Sequence, residues 1–394
     1  MLSRTIFVRK VAIFLTSQLA RLKFMVTFFS LLFQETFRIA LDLCVITHLR
    51  TFNHNNMKST AFLKTILAIA ATAICTIGSY AQGGYHISNT FHIQSAGKWD
   101  YIAVSPVGNN IYVSHATQVN ILDKNTGDSV GVINNTTGVH GIAFAPDFGK
   151  GFTSNGKLNT VTVFDINTNQ ELDHIKTGEN PDAIMYDQFT KKVYVCDGHG
   201  KSLTIIDPSN NQVVATIELG GKPETAVSDE AGKIYINMED KNEIVEVNTK
   251  TNTVENRWSL GKGEGPSGLA IDTKTKRLFS GCDNKMLIVM NAENGKIVKQ
   301  LPIGNGCDGV AFDKTTKNVF SSNGDGTLTV IKEKSANEFD VVANVVTKKG
   351  ARTLSVDEKT HKIYLPTAEF EKNTPANAKP AMVPGTFQVL VVEK

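Results

Sequence analysis

Seven times along this chain an aromatic residue opens a short β-favouring phrase that ends in a small or polar residue. The seven are Tyr112-Val113-Ser114-His115, Phe152-Thr153-Ser154-Asn155, Tyr194-Val195-Cys196-Asp197, Tyr235-Ile236-Asn237-Met238, Phe279-Ser280-Gly281-Cys282, Phe320-Ser321-Ser322-Asn323 and Tyr364-Leu365-Pro366-Thr367. The aromatics step by 40, 42, 41, 44, 41 and 44 residues. A fixed period of this size marks a repeat architecture, in which each unit buries its apolar face only against its neighbours.

The unit has a constant internal order. In the third, a turn at 178–182 leads into an apolar run at 183–186, then a polar turn at 187–192. A second run at 193–196, a loop at 197–200, a third run at 203–206, a turn at 207–211 and a fourth run at 213–219 follow. Val, Ile, Tyr and Phe in short runs bounded by Gly, Pro, Asn and Asp are strand-and-turn signals. Nothing from residue 82 onward carries a sustained helical period. The turn after the third run opens with Asp123, Asp165, Asp207, Asn248 or Asn291, whose short side chains can accept hydrogen bonds from the backbone two residues on. The spacing of an EF-hand calcium loop is absent, so these residues read as hairpin chemistry.

Four antiparallel strands per repeat, seven times over, predict an all-β seven-bladed β-propeller. An open row of such sheets would expose two edges, and ring closure removes them. The last unit has runs at 353–356, 363–365 and 387–392 but no fourth. A spare run at 87–93 precedes the first unit. The N-terminal strand is therefore expected to complete the last blade. The repeated aromatics are expected to pack between blades.

The start of the chain lies outside this grammar. Lys58 and Lys64 precede an apolar stretch at 66–77, and Ser79-Tyr80-Ala81 supplies small residues at a cleavage site. This is the pattern of a secretory signal over 57–81, with cleavage after Ala81, and the apolar stretch is short for a membrane span of ~20 residues. Residues 1–56 read either as an extension mis-assigned upstream of a start at Met57 or as a membrane-associated leader. Residues 1–81 carry nine Lys/Arg and two Asp/Glu, so the remainder has 32 basic against 36 acidic residues, a net charge of −4. That balance argues against nucleic acid as a partner. A periplasmic or extracellular monomer, with no stable span in its mature part, is the expectation. Cys196, Cys282 and Cys307 remain after cleavage, with no Cys-x-x-Cys.

The repeated phrase resembles the Tyr-Val-Thr-Asn signature of the YVTN-family propellers, the group that includes YncE-like proteins. The turns Gly178-Glu179-Asn180-Pro181-Asp182 and Gly220-Gly221-Lys222-Pro223-Glu224 are also similar to that family. So is the closing segment from Pro384-Gly385-Thr386-Phe387 into Val389-Leu390-Val391-Val392. The resemblance covers residues 86–394. It implies an extracytoplasmic seven-bladed propeller with a binding role and no transferable catalytic set.

Aligning the repeats nominates two rings of residues at one mouth of the channel. Entering the first strands are Asp100, His140, Asp182, Glu224, Ser267, Asp308 and Arg352. Leaving the second strands are His115, Asn155, Asp197, Met238, Cys282, Asn323 and Thr367, with His199, Glu239, Asp283 and Glu369 close behind. Convergent polar groups at a concave site are a binding-site expectation. Asp100, Asp182, Glu224 and Asp308 would offer oxygens to a hard cation such as Ca²⁺. His115, His140 and His199 would offer nitrogens to a softer one. Cys282 and Cys307, from adjacent blades, are a candidate disulfide in an oxidising compartment. The segment 367–386, long and proline-bearing, is either a lid over the mouth, with Phe370 and Met382 as its apolar contacts, or a disordered insert.

No Gly-x-Ser-x-Gly, His-Glu-x-x-His or phosphate loop is present. The expectation is a non-catalytic ligand- or protein-binding module acting through the loop face. The ligand would be a small molecule, a protein or a polysaccharide. The alternative is a metal-dependent, lactonase-like hydrolase using the four carboxylates.

Overall fold

A computed structural model describes residues 84–95, 97–371 and 381–394. Residues 1–83, on which the leader and secretory-signal expectations fall, and the middle of the 367–386 segment lie outside the described residues. The described chain forms seven four-stranded antiparallel sheets. The innermost strands of neighbouring sheets touch all the way round, including the last with the first, so the sheets form a closed ring. The fold is a seven-bladed β-propeller. No helix among the described residues is long and apolar enough to cross a membrane.

Blades one to six run outward in chain order, as in Trp99–Val104, Asn110–His115, Gln118–Asp123 and Ser129–Ile133 of blade one. Blade seven is composite. Its order from the channel is Ser355–Val356, Ile363–Thr367, Gln388–Glu393 and then His86–His92. The N-terminal strand pairs antiparallel with the C-terminal one, from His86 opposite Glu393 to His92 opposite Gln388. The expected closure is thus formed by hydrogen bonds between the two ends of the ring.

The repeated aromatics are all buried between blades. Tyr112 stacks on Phe164 of blade two at 5.6 Å and donates to Asn169 Oδ1 at 2.6 Å. Tyr235 and Tyr364 likewise donate to backbone carbonyls of the following blade, Ala292 and Lys124, at 3.0 and 3.1 Å. These three tyrosines therefore contribute apolar area and a satisfied polar tip to the inter-blade core. The Asp/Asn turns are hairpin chemistry as expected. Asp165 accepts from the amides of Asn167 and Thr168 at 2.9 and 2.8 Å, and Asn169 then takes a positive φ of 60°.

The innermost strand of blade seven is shorter than the sequence suggests, two residues instead of four. Its first half is held by neighbours instead. Ser322 of blade six donates to the Arg352 carbonyl at 2.5 Å, and the Thr353 hydroxyl donates to the Asp100 carbonyl of blade one at 2.5 Å.

Candidate functional site

The first nominated ring exists. In blades one to six its members are the second residue of the innermost strand, and each follows a buried residue: Trp99, Val139, Pro181, Pro223, Pro266 or Cys307. The second ring does not line the mouth. Trp99 pairs with His115, Val139 with Asn155, Pro181 with Asp197, Pro266 with Cys282 and Cys307 with Asn323. The second-ring residues thus sit opposite the buried neighbours of the first ring. Strand side chains alternate faces, so a one-residue offset sends the two rings in different directions.

The second ring is buried structure. His115, Asn155, Asp197, Met238, Cys282, Asn323 and Thr367 are all fully buried. His115 stacks on Phe387 at 4.0 Å, and its ring nitrogens bond the Gly97 carbonyl and Ser95 Oγ at 2.9 and 2.6 Å. Burial holds its pKa below the ordinary imidazole value. Asn155 donates to Thr162 at 2.8 Å, Asp197 accepts from Ser202 and Thr204 at 2.9 and 2.7 Å, and Asn323 donates to Thr327 and Thr329 at 3.1 and 3.2 Å. These polar residues tie their second strand to the third within one blade. Burial raises the Asp197 carboxyl to about 6 against those hydroxyls. His199 is exposed, 3.9 Å from Glu179, and Asp283 is exposed on the rim, so neither joins His140. Cys282 and Cys307 are buried free thiols, and the disulfide between them is not formed. Cys307 Sγ contacts Ser321 Oγ at 3.1 Å, and Gly281 makes room for it: a Cβ there would lie 2.4 Å from that sulfur.

Contacts run round the first ring from Asp182 through His140, Asp100, Arg352, Asp308 and Ser267 to Glu224. His140 Nδ1 donates to Asp100 Oδ2 at 2.6 Å and lies 3.7 Å from Asp182 Oδ1. Arg352 bonds Asp308 and reaches Asp100 Oδ1 at 3.3 Å. Ser267 donates to Asp308 at 2.6 Å, and Lys222 pairs with Glu224 at 2.8 Å and with Glu239. The four carboxylates therefore do not share one centre. Asp308 and Glu224 are engaged by Arg352, Ser267 and Lys222, while Asp100 and Asp182 converge with His140. Donor atoms of these three residues lie within 4.8 Å of one another.

Electrostatics follows this division. Burial, then the repulsion of Asp100 and Asp308, outweighs His140 and pushes the Asp182 carboxyl well above the usual range. Burial and the charge of Asp182 likewise raise Glu224 despite its lysine. His140 is held above its ordinary value: burial works against its charge, but the Asp100 hydrogen bond and the Asp182 charge prevail. Beneath the ring the channel turns apolar, with a cavity of about 130 Å³ among Tyr101, Ile102, Ile142, Ala183, Ile184 and Ala226.

Sequence reasoning missed the residues that hold this ring still. Ser114 accepts from the Asp100 amide at 3.2 Å. Ser154 accepts from the Gly141 amide at 2.8 Å and donates to the Asp182 carbonyl of the next blade. Asn237 donates to the carbonyls of Ser267 and Gly268 at 3.0 Å each. Ser322 does the same for Arg352. All four are the third residue of the repeated phrase, so the signal was present as a run of small polar letters beside the aromatic.

A cleft of about 480 Å³ opens beside the ring between blades one and two, lined by Lys98, Trp99, Thr117, Val139, His140, Lys157, Asn180 and Arg352, among others. Lys98 and Lys157 are exposed and form no ion pair among the described residues. The described ends of the long loop anchor near this cleft. Phe370 and Met382 form an antiparallel bridge, and Phe370 packs on Trp99 at 6.0 Å, which itself stacks on Phe387 at 5.4 Å.

Fold and site define a seven-bladed β-propeller with one polar mouth. No family model matches the chain, and no curated protein is similar to it in sequence. Among solved structures it is similar to Kuenenia stuttgartiensis hydrazine synthase, with a TM-score of 0.60 at 17% identity over 70% of this chain and 94% of that one. At that identity the likeness is one of fold.

Proposed function

We propose that the chain is an exported propeller of the YVTN type and a non-catalytic binding or scaffold module, which takes a carboxylate-bearing ligand in the cleft between blades one and two. The cleft carries this reading. It is the size of a small-molecule site, has an apolar wall in Trp99 and Val139, and presents two lysines without acidic partners. Asp100, His140 and Arg352 of the hydrogen-bonded ring line one side of it and provide a rigid, pre-organised base, which lowers the ordering cost of binding. Two sources fit this chemistry, a free small acid or the acidic residues of a polysaccharide. The hydrolase alternative lacks a shared four-carboxylate centre.

Calorimetric titration with citrate and with galacturonate oligomers tests the ligand class. Saturable binding by one of them, lost on combining Lys98→Glu with Lys157→Glu, supports the reading, and which of them binds identifies the source. No binding by either, or equal binding by the double variant, rejects it. Export is tested separately: mature protein recovered outside the cytoplasm should begin at Gln82, and retention of residues 57–81 in a cytoplasmic product would contradict it.

A further inference from the structure

We propose that Asp100, His140 and Asp182 bind one divalent first-row transition-metal ion at the lip of the channel. The proposal goes beyond the cleft reading and does not depend on a carboxylate ligand.

Three observations carry it. The donor set is mixed, one imidazole nitrogen and two carboxylate oxygens, which suits Mn²⁺, Fe²⁺, Co²⁺ or Zn²⁺ better than Ca²⁺, which takes six to eight oxygens. The spacing fits as well. Ligands at right angles around an ion at ~2.1 Å lie about 3 Å apart. His140 Nδ1 sits 2.6 Å from Asp100 Oδ2 and 3.7 Å from Asp182 Oδ1, so small side-chain shifts admit an ion between them. Finally, Asp182 is only 9% exposed, yet no hydrogen-bond donor reaches its carboxylate among the described residues. Its one ion-pair partner among the described residues is His140 at 3.7 Å, too far for a hydrogen bond, and a metal ion between the two would bind the carboxylate directly.

The surroundings pre-orient all three ligands, as outer-shell partners do at metal centres. Arg352 holds the far oxygen of Asp100 and leaves Oδ2 facing His140. Thr353 and Ser114 pin the Asp100 backbone, and Ser154 pins that of Asp182. The Nε2–Cδ2 edge of His140 rests against Gly156, where a Cβ would come 2.7 Å from Nε2, while Nδ1 on the other side of the ring bonds Asp100. One side of the triad faces the cleft, leaving coordination positions for water or an incoming ligand.

The test is titration of chelator-treated protein with Co²⁺ and Mn²⁺ alone. We expect one equivalent bound, with Co²⁺ visible absorption and, for Mn²⁺, spin-echo modulation from a coordinated nitrogen. His140→Ala and Asp182→Asn should each weaken affinity at least ~10-fold. Asp283→Asn, on the rim outside the triad, should leave it within about twofold. The nitrogen signal needs no variant, so it stands even if His140→Ala fails to fold. Lack of stoichiometric binding at millimolar metal, Mn²⁺ bound without nitrogen, or equal weakening by Asp283→Asn would each overturn the proposal.

Discussion

The two ends of the innermost strands bear comparison. At the mouth the strands begin with unlike residues, and acids there are pushed up: burial and mutual repulsion raise Asp182 and Glu224. At the opposite end three of the strands finish in an aspartate, and a fourth is followed at once by Asp357, each spanning to the next blade. Asp187 accepts from Ser228 at 2.7 Å, Asp272 from Lys317 at 2.9 Å, Asp313 from His361 at 2.8 Å and Asp357 from Lys124 of blade one at 2.6 Å. Burial tends to raise Asp313 and Asp357 too, but turn amides, threonine hydroxyls and the cross-blade cation outweigh it and hold both below the ordinary range. One end spends its acids on holding blades together. The other gathers acids that are incompletely compensated, and strain of that kind collects at functional sites.

The largest expected effect lies at the far end. Lys124 and Asp357 are 5% and 3% exposed, so Lys124→Met strands a buried carboxylate and should cost about 3–5 kcal/mol in urea unfolding. Co²⁺ binding at the mouth should survive in the fraction that remains folded. If mouth binding vanished while the fold persisted, the two ends would not be independent.

Next is Asn237→Ala, which leaves the carbonyls of Ser267 and Gly268 without their shared donor. A loss of about 1–3 kcal/mol is expected by denaturant melt. No loss would mean that the third letter of the phrase does not stitch the mouth.

The pH profile separates the two sets of acids by sign. Asp313 and Asp357, held low, contribute stability that is present at neutral pH and lost as pH falls through their depressed values. Asp182 and Glu224, held high, act oppositely. The folded chain retains protons that the unfolded chain has released, so stability declines as pH rises from the ordinary carboxylate range towards about 8. Glu224→Gln should therefore stabilise the protein on the order of 1 kcal/mol at pH ~8.5 and leave it nearly unchanged at pH ~4. A uniform shift across pH would remove the distinction between the ends.

The smallest effect is expected from Gly156→Ala. The added Cβ meets flexible side-chain tips, His140 Nε2 and Asn180 Oδ1, both at 2.7 Å. Stability should change by about 0.5 kcal/mol, while Co²⁺ affinity falls several-fold through the turned imidazole. Unchanged affinity would show that the orientation of His140 does not depend on this contact.

Blade count, the Asp/Asn hairpins, the buried aromatics and the closure by His86–His92 were all legible in the sequence. They are local or periodic: a turn residue acts within three positions, and a repeated register puts every aromatic in the same environment. The first ring was legible for the same reason. Aligned repeats deliver Asp100, His140, Asp182 and their equivalents to one circle. The burial of the second ring is not legible in the sequence because pleat direction depends on pairing, and Trp99 opposite His115 decides that His115 faces the core.

By itself, then, the sequence determined an all-β ring of seven blades and the register that brings unlike residues to one mouth. Periodicity and turn chemistry are carried by neighbours in the chain, so they can be read without coordinates. Only the tertiary structure decided which mouth residues touch. It joined Arg352 to Asp308, Lys222 to Glu224, and His140 to Asp100 and Asp182. Those pairings depend on distances across separate blades, and separation along the chain holds no record of them.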